Sequence, residues 1–389
     1  MRYLCAVIAT TLLAGSAFAD TINVPGDYPT IQEAIDAAVD GDEILVAPGT
    51  YTGTGDEVIN TSGLLITLRA TGTPEETIID GEGSRRVFTF VNGEGADTII
   101  EGFTIMGGAP NSNYGGGIYC NNSSPTISGC TIMENTAEYG GGVYCYNYSD
   151  PMLSNCTISG NTANQRNGGI YCDTNSSPII TGCTISGNTA QSNCGGIYIS
   201  PSSSSMITDC TITGNVAIGG FGGGIVCWGG NPTITGCTIS GNQAFDAGGG
   251  ILCGGGQGKP SITDCTITNN VAIGLGGGIR IEEAYPTLTN THVCGNNSDQ
   301  VSGIWHDNGG NEIHEVCPGD VGACCTGNNE ICVDTNETDC NFFGGTFSGY
   351  GVACSEVECP NSCLGDVTGD GQVNVNDLLT VIANWHNCP

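Results

Sequence analysis

The chain has 389 residues and a formal net charge of −32, with 39 acidic side chains against seven Lys and Arg, and it carries 64 glycines and 23 cysteines. So few cations exclude nucleic acid as a partner, because phosphate contacts need Lys and Arg. Acidic sugar polymers such as pectin are repelled as well, unless Ca²⁺ bridges them.

Residues 1–19 open with Arg2, continue through an apolar run over 4–13 and end on Ala17-Phe18-Ala19 before Asp20. This is the pattern of a secretory signal peptide cleaved near Ala19, and it is too short to span a membrane. The mature chain is therefore expected outside the cell or on its surface, with no transmembrane segment, where disulfides persist.

After an N-terminal cap and first coil expected over residues 20–58, residues 59–316 are repetitive. CTIxxN returns through Asn135, Asn161, Asn188, Asn215, Asn242, Asn270 and Asn296 at intervals of 26 to 28, each time after a GGIYC-like segment. A fixed period in this range means a solenoid. Period-two alternation puts Ile118 and Cys120 on one face and Tyr119 on the other, and pairs Cys130 with Ile132. Ile127 is one residue out of phase with that pair, so the chain must bend at Ser128 and Gly129. Each unit reads as three short strands and three turns, with no room for a helix. The expected fold is all-β, a parallel β-helix of roughly ten coils stacked at about 4.8 Å into a rod near 48 Å long. The asparagines fall at a turn, where an inward side chain can bond its own coil and the next; they read as structural.

The chain resembles the right-handed parallel β-helix superfamily that includes pectate lyases, which shares such an asparagine ladder. Its GGG[IV] and TIxxN segments are also similar to the repeats of polymorphic outer-membrane and autotransporter passenger proteins. The opening INVPGDYPTIQEAIDAAVDGDEILVAPGTY resembles the start of many such proteins. That resemblance implies a short amphipathic helix over residues 31–39 that plugs the apolar end of the rod. It covers roughly residues 22–316, and it specifies fold rather than activity.

Cys120, Cys145, Cys172, Cys227 and Cys253 share one inward row with Ile199 and Ile281, and Cys130, Cys156, Cys183, Cys210, Cys237 and Cys265 share another with Phe103 and Thr291. Neighbours stacked at about 4.8 Å lie within the Cα range of a disulfide, and buried free thiols are the alternative. A straight row cannot surround an ion tetrahedrally. From residue 317 to 362 the period stops. Cys324, Cys325, Cys332, Cys340, Cys354 and Cys359 fit a small module with three disulfides of open pairing, similar to short GACC repeats of secreted, multi-module bacterial proteins.

Residues 363–389 contain GDVTGDGQVNVND followed by an apolar helical pattern. Asp366, Thr368, Asp370, Gln372 through its carbonyl, Asn374 and Asp377 take positions 1, 3, 5, 7, 9 and 12 of a calcium loop, with Gly371 at the sharp turn. The unit resembles a dockerin repeat. It departs from that family in being single and in carrying Thr368 at position 3, which puts docking to a cohesin-like partner in doubt; attachment to a surface is the other role. Cys363 and Cys388 are placed to close the unit.

On the rod, a lyase would need a base and clustered carboxylates. Arg280, beside Glu282 and Glu283 and with Asp264 in the previous coil, is the best such cluster, although a salt bridge at the rod's end explains it equally. Asp209 and Asp264 share a register two coils apart, about 9.6 Å, the spacing of an inverting hydrolase pair; turn solvation is the plainer account. Two outward rows suggest binding. Tyr119, Tyr144, Tyr171 and Tyr198 form an aromatic stripe able to stack on sugar rings, or to stabilise the sheet by itself. Thr104, Thr131, Thr157, Thr184, Thr211, Thr238 and Thr266 form a flat T-x-[ST] array resembling ice-binding solenoids. The reading favoured is a non-catalytic surface protein binding polysaccharide or cell-surface glycan and held by its C-terminal Ca²⁺ unit. A polysaccharide lyase or glycoside hydrolase is the alternative, with ice binding as a minor one.

Overall fold

Triplets such as Thr-Ile-Ser and Ile-Tyr-Cys, separated by Gly, Asn and Ser, favour extended backbone and leave turns every few residues. The computed structural model describes residues 19–317 except 112, and beyond them three further strands. It is a parallel β-solenoid with sheets of 12, 10, 11 and 6 strands. The ten-stranded sheet alone spans nine steps between neighbouring turns, each about 4.8 Å.

The stacking is in register. Ile118, Val143, Ile170, Ile197, Ile225, Ile251 and Ile279 pair in succession along one sheet. Ile132, Ile158, Ile185, Ile212, Ile239, Ile267 and Val293 do so along another. All of these are buried. Gly129 takes φ +57° between strands Thr126–Ser128 and Thr131–Met133, which is the bend that the phase change at Ile127 demands.

Three strands per unit is one too few for the central coils. A fourth follows each asparagine from Thr136–Tyr139 to Val271–Ala272. Its second residue turns inward, so Ala137, Ala163, Ala190, Ala217, Ala244 and Ala272 are buried.

The helix runs over Ile31–Ala37, two residues short of the expected end, because Ala38 is already extended. Thr30 and Glu33 form a reciprocal cap, the Thr30 hydroxyl accepting from the Glu33 amide and donating to its carboxylate. Ile31, Ala34 and Ile35 cover the end of the apolar interior. Beside the helix, Thr21–Val24 and Glu43–Val46 are the first strands of the twelve-stranded sheet, and Glu57–Asn60 belongs to the ten-stranded one.

From Asn161 to Asn296 the side-chain oxygen accepts from the preceding asparagine's backbone and amide nitrogens, while its own amide donates onward; Asn135 Oδ1 starts the ladder by accepting from Gly108 N. Asn215 Oδ1 takes Asn188 N and Nδ2 at 3.0 and 2.9 Å, and Asn215 Nδ2 donates to Ile185 O and Asn242 Oδ1. A second polar ladder escaped the sequence reading: Ser123, Ser149 and Ser176 bond coil to coil, and buried Glu94 ends it by accepting from Ser123 and Thr61. Burial pushes the Glu94 carboxyl up, yet its hydrogen bonds outweigh that and hold it below the usual carboxylate range.

Twelve of the described cysteines are free and buried, so the thiol alternative holds for both rows. In the second row each sulfur sits against carbonyls, as Cys183 Sγ does with Leu153 O and Thr181 O at 3.4 Å. Burial pushes the Cys130 thiol up to about 11, which leaves little thiolate. The one disulfide among the described residues, Cys294–Cys317, closes the last coil.

Three antiparallel strands follow, Gly322–Thr326, Ile331–Thr335 and Thr346–Tyr350, with Cys324, Cys325 and Cys332 on the first two. The signal peptide expected over residues 1–19, all but its last residue, the disulfides expected in the cysteine-rich module and the expected calcium loop lie outside the described residues. Among those described, no helix is long and apolar enough to cross a membrane.

Candidate functional site

The Ile-Tyr-Cys alternation turns tyrosine out of the solenoid, but it does not leave the whole row in water. Tyr144, Tyr171 and Tyr198 are only 3, 7 and 7 % exposed, which corrects the expectation of a flat exposed stripe. They form a second apolar cluster with Cys194, Val226, Ala247 and Leu252, packed against Tyr139, Phe221 and Trp228. The turn after the fourth strand folds back over the sheet to make this cover. Glycine pairs allow so tight a return: a Cβ on Gly142 would lie 2.7 Å from Gly169 O and 3.1 Å from Asn161 Nδ2.

At the N-terminal end of the row the cover opens into a cleft of about 390 Å³, lined by Tyr114, Tyr119, Tyr144, Tyr146, Asp173 and Thr174. Tyr114 and Tyr144 have ring centres 5.1 Å apart, Tyr119 and Tyr144 5.8 Å, and Tyr144 and Tyr146 6.1 Å. The buried guanidinium of Arg86 supports Tyr119 from 4.7 Å and donates to the carbonyls of Gly115 and Tyr114. Tyr144 donates its hydroxyl to Asp173 Oδ2 at 2.9 Å. Burial first, then the Asp173 charge, pushes the Tyr144 phenol far above its ordinary value.

Aromatic walls with a carboxylate at the edge can stack on the apolar face of a sugar ring and accept from its hydroxyls. Of this site the sequence reading held only Tyr119 and Tyr144. Asp173, Tyr114, Tyr146 and Arg86 are brought to it by the fold. Tyr146 sits two residues beyond Tyr144, on the next outward position of the same strand, Val143–Tyr146, and that spacing was the available signal.

The lyase cluster is not assembled. Arg280 lies on the ten-stranded sheet, ion-paired with Glu282 at 3.1 Å and bonded to Ser302 at 2.9 Å. Asp264 stands at the turn from the twelve-stranded to the eleven-stranded sheet, another corner of the coil. The shared register of Asp209 and Asp264 is real, but its cause is backbone geometry. Along this turn Gly129, Asn155, Gly182, Asp209, Gly236, Asp264 and Asn290 all take φ between +46° and +63°, where Gly, Asn and Asp are the comfortable residues. The threonine array pairs in register from Thr104 to Thr266, although Thr104 itself is buried rather than on the open face.

Coils of this build, stacked in parallel around ladders of Ile and Asn, define a right-handed parallel β-helix, and a family model described as the right handed beta helix region matches residues 89–232. A cell surface glycoprotein of Methanothermus fervidus is 33% identical over 140 residues, 36% of this chain; the match spans only 20% of that protein's length. Among solved structures, pectate lyase Pel9A aligns at TM-score 0.45 and 15% identity over 75% of this chain and 80% of that one. A mannuronic acid specific family 6 polysaccharide lyase from human gut microbiota aligns at 0.39 and 13%, over 74% and 77%. The catalytic unit of an α-1,3-glucanase from Streptomyces thermodiastaticus aligns at 0.38 and 15%, over 77% and 70%.

Proposed function

We propose that the protein is an exported, extracellular or cell-surface rod that binds glycan in the tyrosine cleft without cleaving it, and that its C-terminal Ca²⁺ unit attaches it to a surface or a cohesin-like partner. The observation that carries this reading is the cleft itself, with Tyr114, Tyr119 and Tyr146 around the Tyr144–Asp173 hydrogen bond. The signal-like N-terminus and the likeness to a cell surface glycoprotein support the location. The net charge directs the search to neutral polymers. Asp173 is the one carboxylate lining the cleft, where hydrolysis would call for a pair, and Arg86 beneath Tyr119 is occupied by carbonyls rather than turned toward a substrate.

The test is affinity electrophoresis of the full chain in a panel of neutral and acidic polysaccharides, with chromatography for released products. Retention by a neutral polymer is expected, weakened about tenfold or more in Tyr119→Ala and Tyr146→Ala, the scale of losing one aromatic anchor. Retention by none, or loss of none in the variants, would end the cleft reading. Released oligosaccharides would establish the lyase or hydrolase alternative instead.

A further inference from the structure

Three of the four histidines, His292, His306 and His314, lie in the last turns of the rod, where the threonine array changes character. Thr266 pairs with His292 and His292 with Glu312, while Thr268 pairs with Cys294 and Cys294 with His314. Val293 points into the core, so His292 and Cys294, with Glu312 and His314 beside them, share the outer face. His292 Nδ1 lies 3.1 Å from a Glu312 carboxylate oxygen, its Nε2 lies 3.0 Å from Cys294 Sγ, and the His292 and His314 ring centres are 6.1 Å apart.

We propose that this square holds a divalent transition-metal ion of the zinc class through His292 Nδ1, a Glu312 oxygen and a ring nitrogen of His314. Cys294 is bonded to Cys317, so its sulfur brings no thiol proton to the ring. On its other side His292 Nδ1 meets a Glu312 oxygen, and that contact closes either through a ring proton or through a cation held between the two atoms. Two ligand atoms on a tetrahedral Zn²⁺, each about 2.0–2.1 Å from it, lie roughly 3.3 Å apart, close to the separation present. His314 stands exposed on the last strand of its sheet with its ring centre 6.1 Å from that of His292, so it joins the set only by turning its ring toward the His292–Glu312 pair. Imidazole with carboxylate suits zinc, whereas calcium takes oxygen alone, which separates this site from the C-terminal loop. With three protein ligands the fourth position is open to water or an incoming donor.

The experiment is Zn²⁺ titration of the full chain with Ca²⁺ saturating, by calorimetry, against His292→Thr, His314→Ala and Glu312→Gln. His292→Thr continues the threonine row and keeps the fold, and the buried thiols are common to every variant. One Zn²⁺ site is expected to weaken in each variant by at least the roughly 10- to 100-fold that loss of an outer-shell partner alone costs. Cu²⁺ in its place should give an electron paramagnetic resonance spectrum with two coupled nitrogens, reduced to one in either histidine variant. No Zn²⁺ uptake by the wild type, or uptake by His292→Thr and His314→Ala equal to the wild type, would overturn the proposal and leave a histidine–carboxylate contact alone.

Discussion

Asn215 is held by two coils at once, accepting from Asn188 and donating to Ile185 and Asn242. Asn215→Ala leaves two buried donors of Asn188 without a partner, at about 1–3 kcal/mol each. Urea unfolding should register a loss of roughly 3–5 kcal/mol; a loss under 1 kcal/mol would show that the ladder bonds are replaceable. Asp209 is the opposite case, an exposed side chain whose backbone sits at φ +52°. Asp209→Gly should leave stability and glycan retention unchanged, and Asp209→Ala should cost about 1 kcal/mol for the left-handed turn. Catalytic importance at Asp209 would instead appear as equal loss of product in both. Burial raises the Tyr198 phenol to about 12, so the folded state keeps a proton that the unfolded chain gives up near pH 10. That stabilisation is complete below pH 10 and is lost as pH rises toward 12; the Tyr198 share of the phenolate absorbance, read as the difference from Tyr198→Phe, should appear together with unfolding in this window, not before it.

At the level of elements, alternation made the solenoid legible. Ile118, Cys120 and Ile132 point inward in the sequence as they do in the structure, because one buried face fixes the register of a strand. What alternation cannot convey is what lies over the outer face. Tyr171 occupies an outward position and is still buried, since the cover comes from a turn that closes over the sheet. Tyr171→Ala should therefore cost about 3–5 kcal/mol, as for a core aromatic, while Thr211→Val on the exposed array should stay within about 0.5 kcal/mol; similar losses in both would contradict the second cluster. Asp264 was drawn toward Arg280 by closeness in sequence, yet the coil carries it to another corner. The calcium loop is an element of sequence alone here. Calcium should bind the full chain at one site that disappears in Asp366→Ala with Asp370→Ala, and unchanged binding would remove it.

On the scale of the whole molecule, every coil rests on its neighbours and the two ends carry different closures. The N-terminal helix buries Ile31 and Ile35, and the last coil is tied by Cys294–Cys317 across 23 residues. Cys317→Ser should open residues 301–316 to protease while leaving the coils around Asn188 protected, since repeat arrays come apart from their ends; cleavage throughout the rod would show a single cooperative unit. In-register stacking has a geometric corollary. The tyrosine cleft and the histidine face lie six coils apart, roughly 29 Å at the strand spacing. Inserting one 27-residue repeat, of the length that separates Asn188 from Asn215, would move them apart by one step of about 4.8 Å without redesign of either, so the rod is a ruler whose graduations are written in the gene as copies.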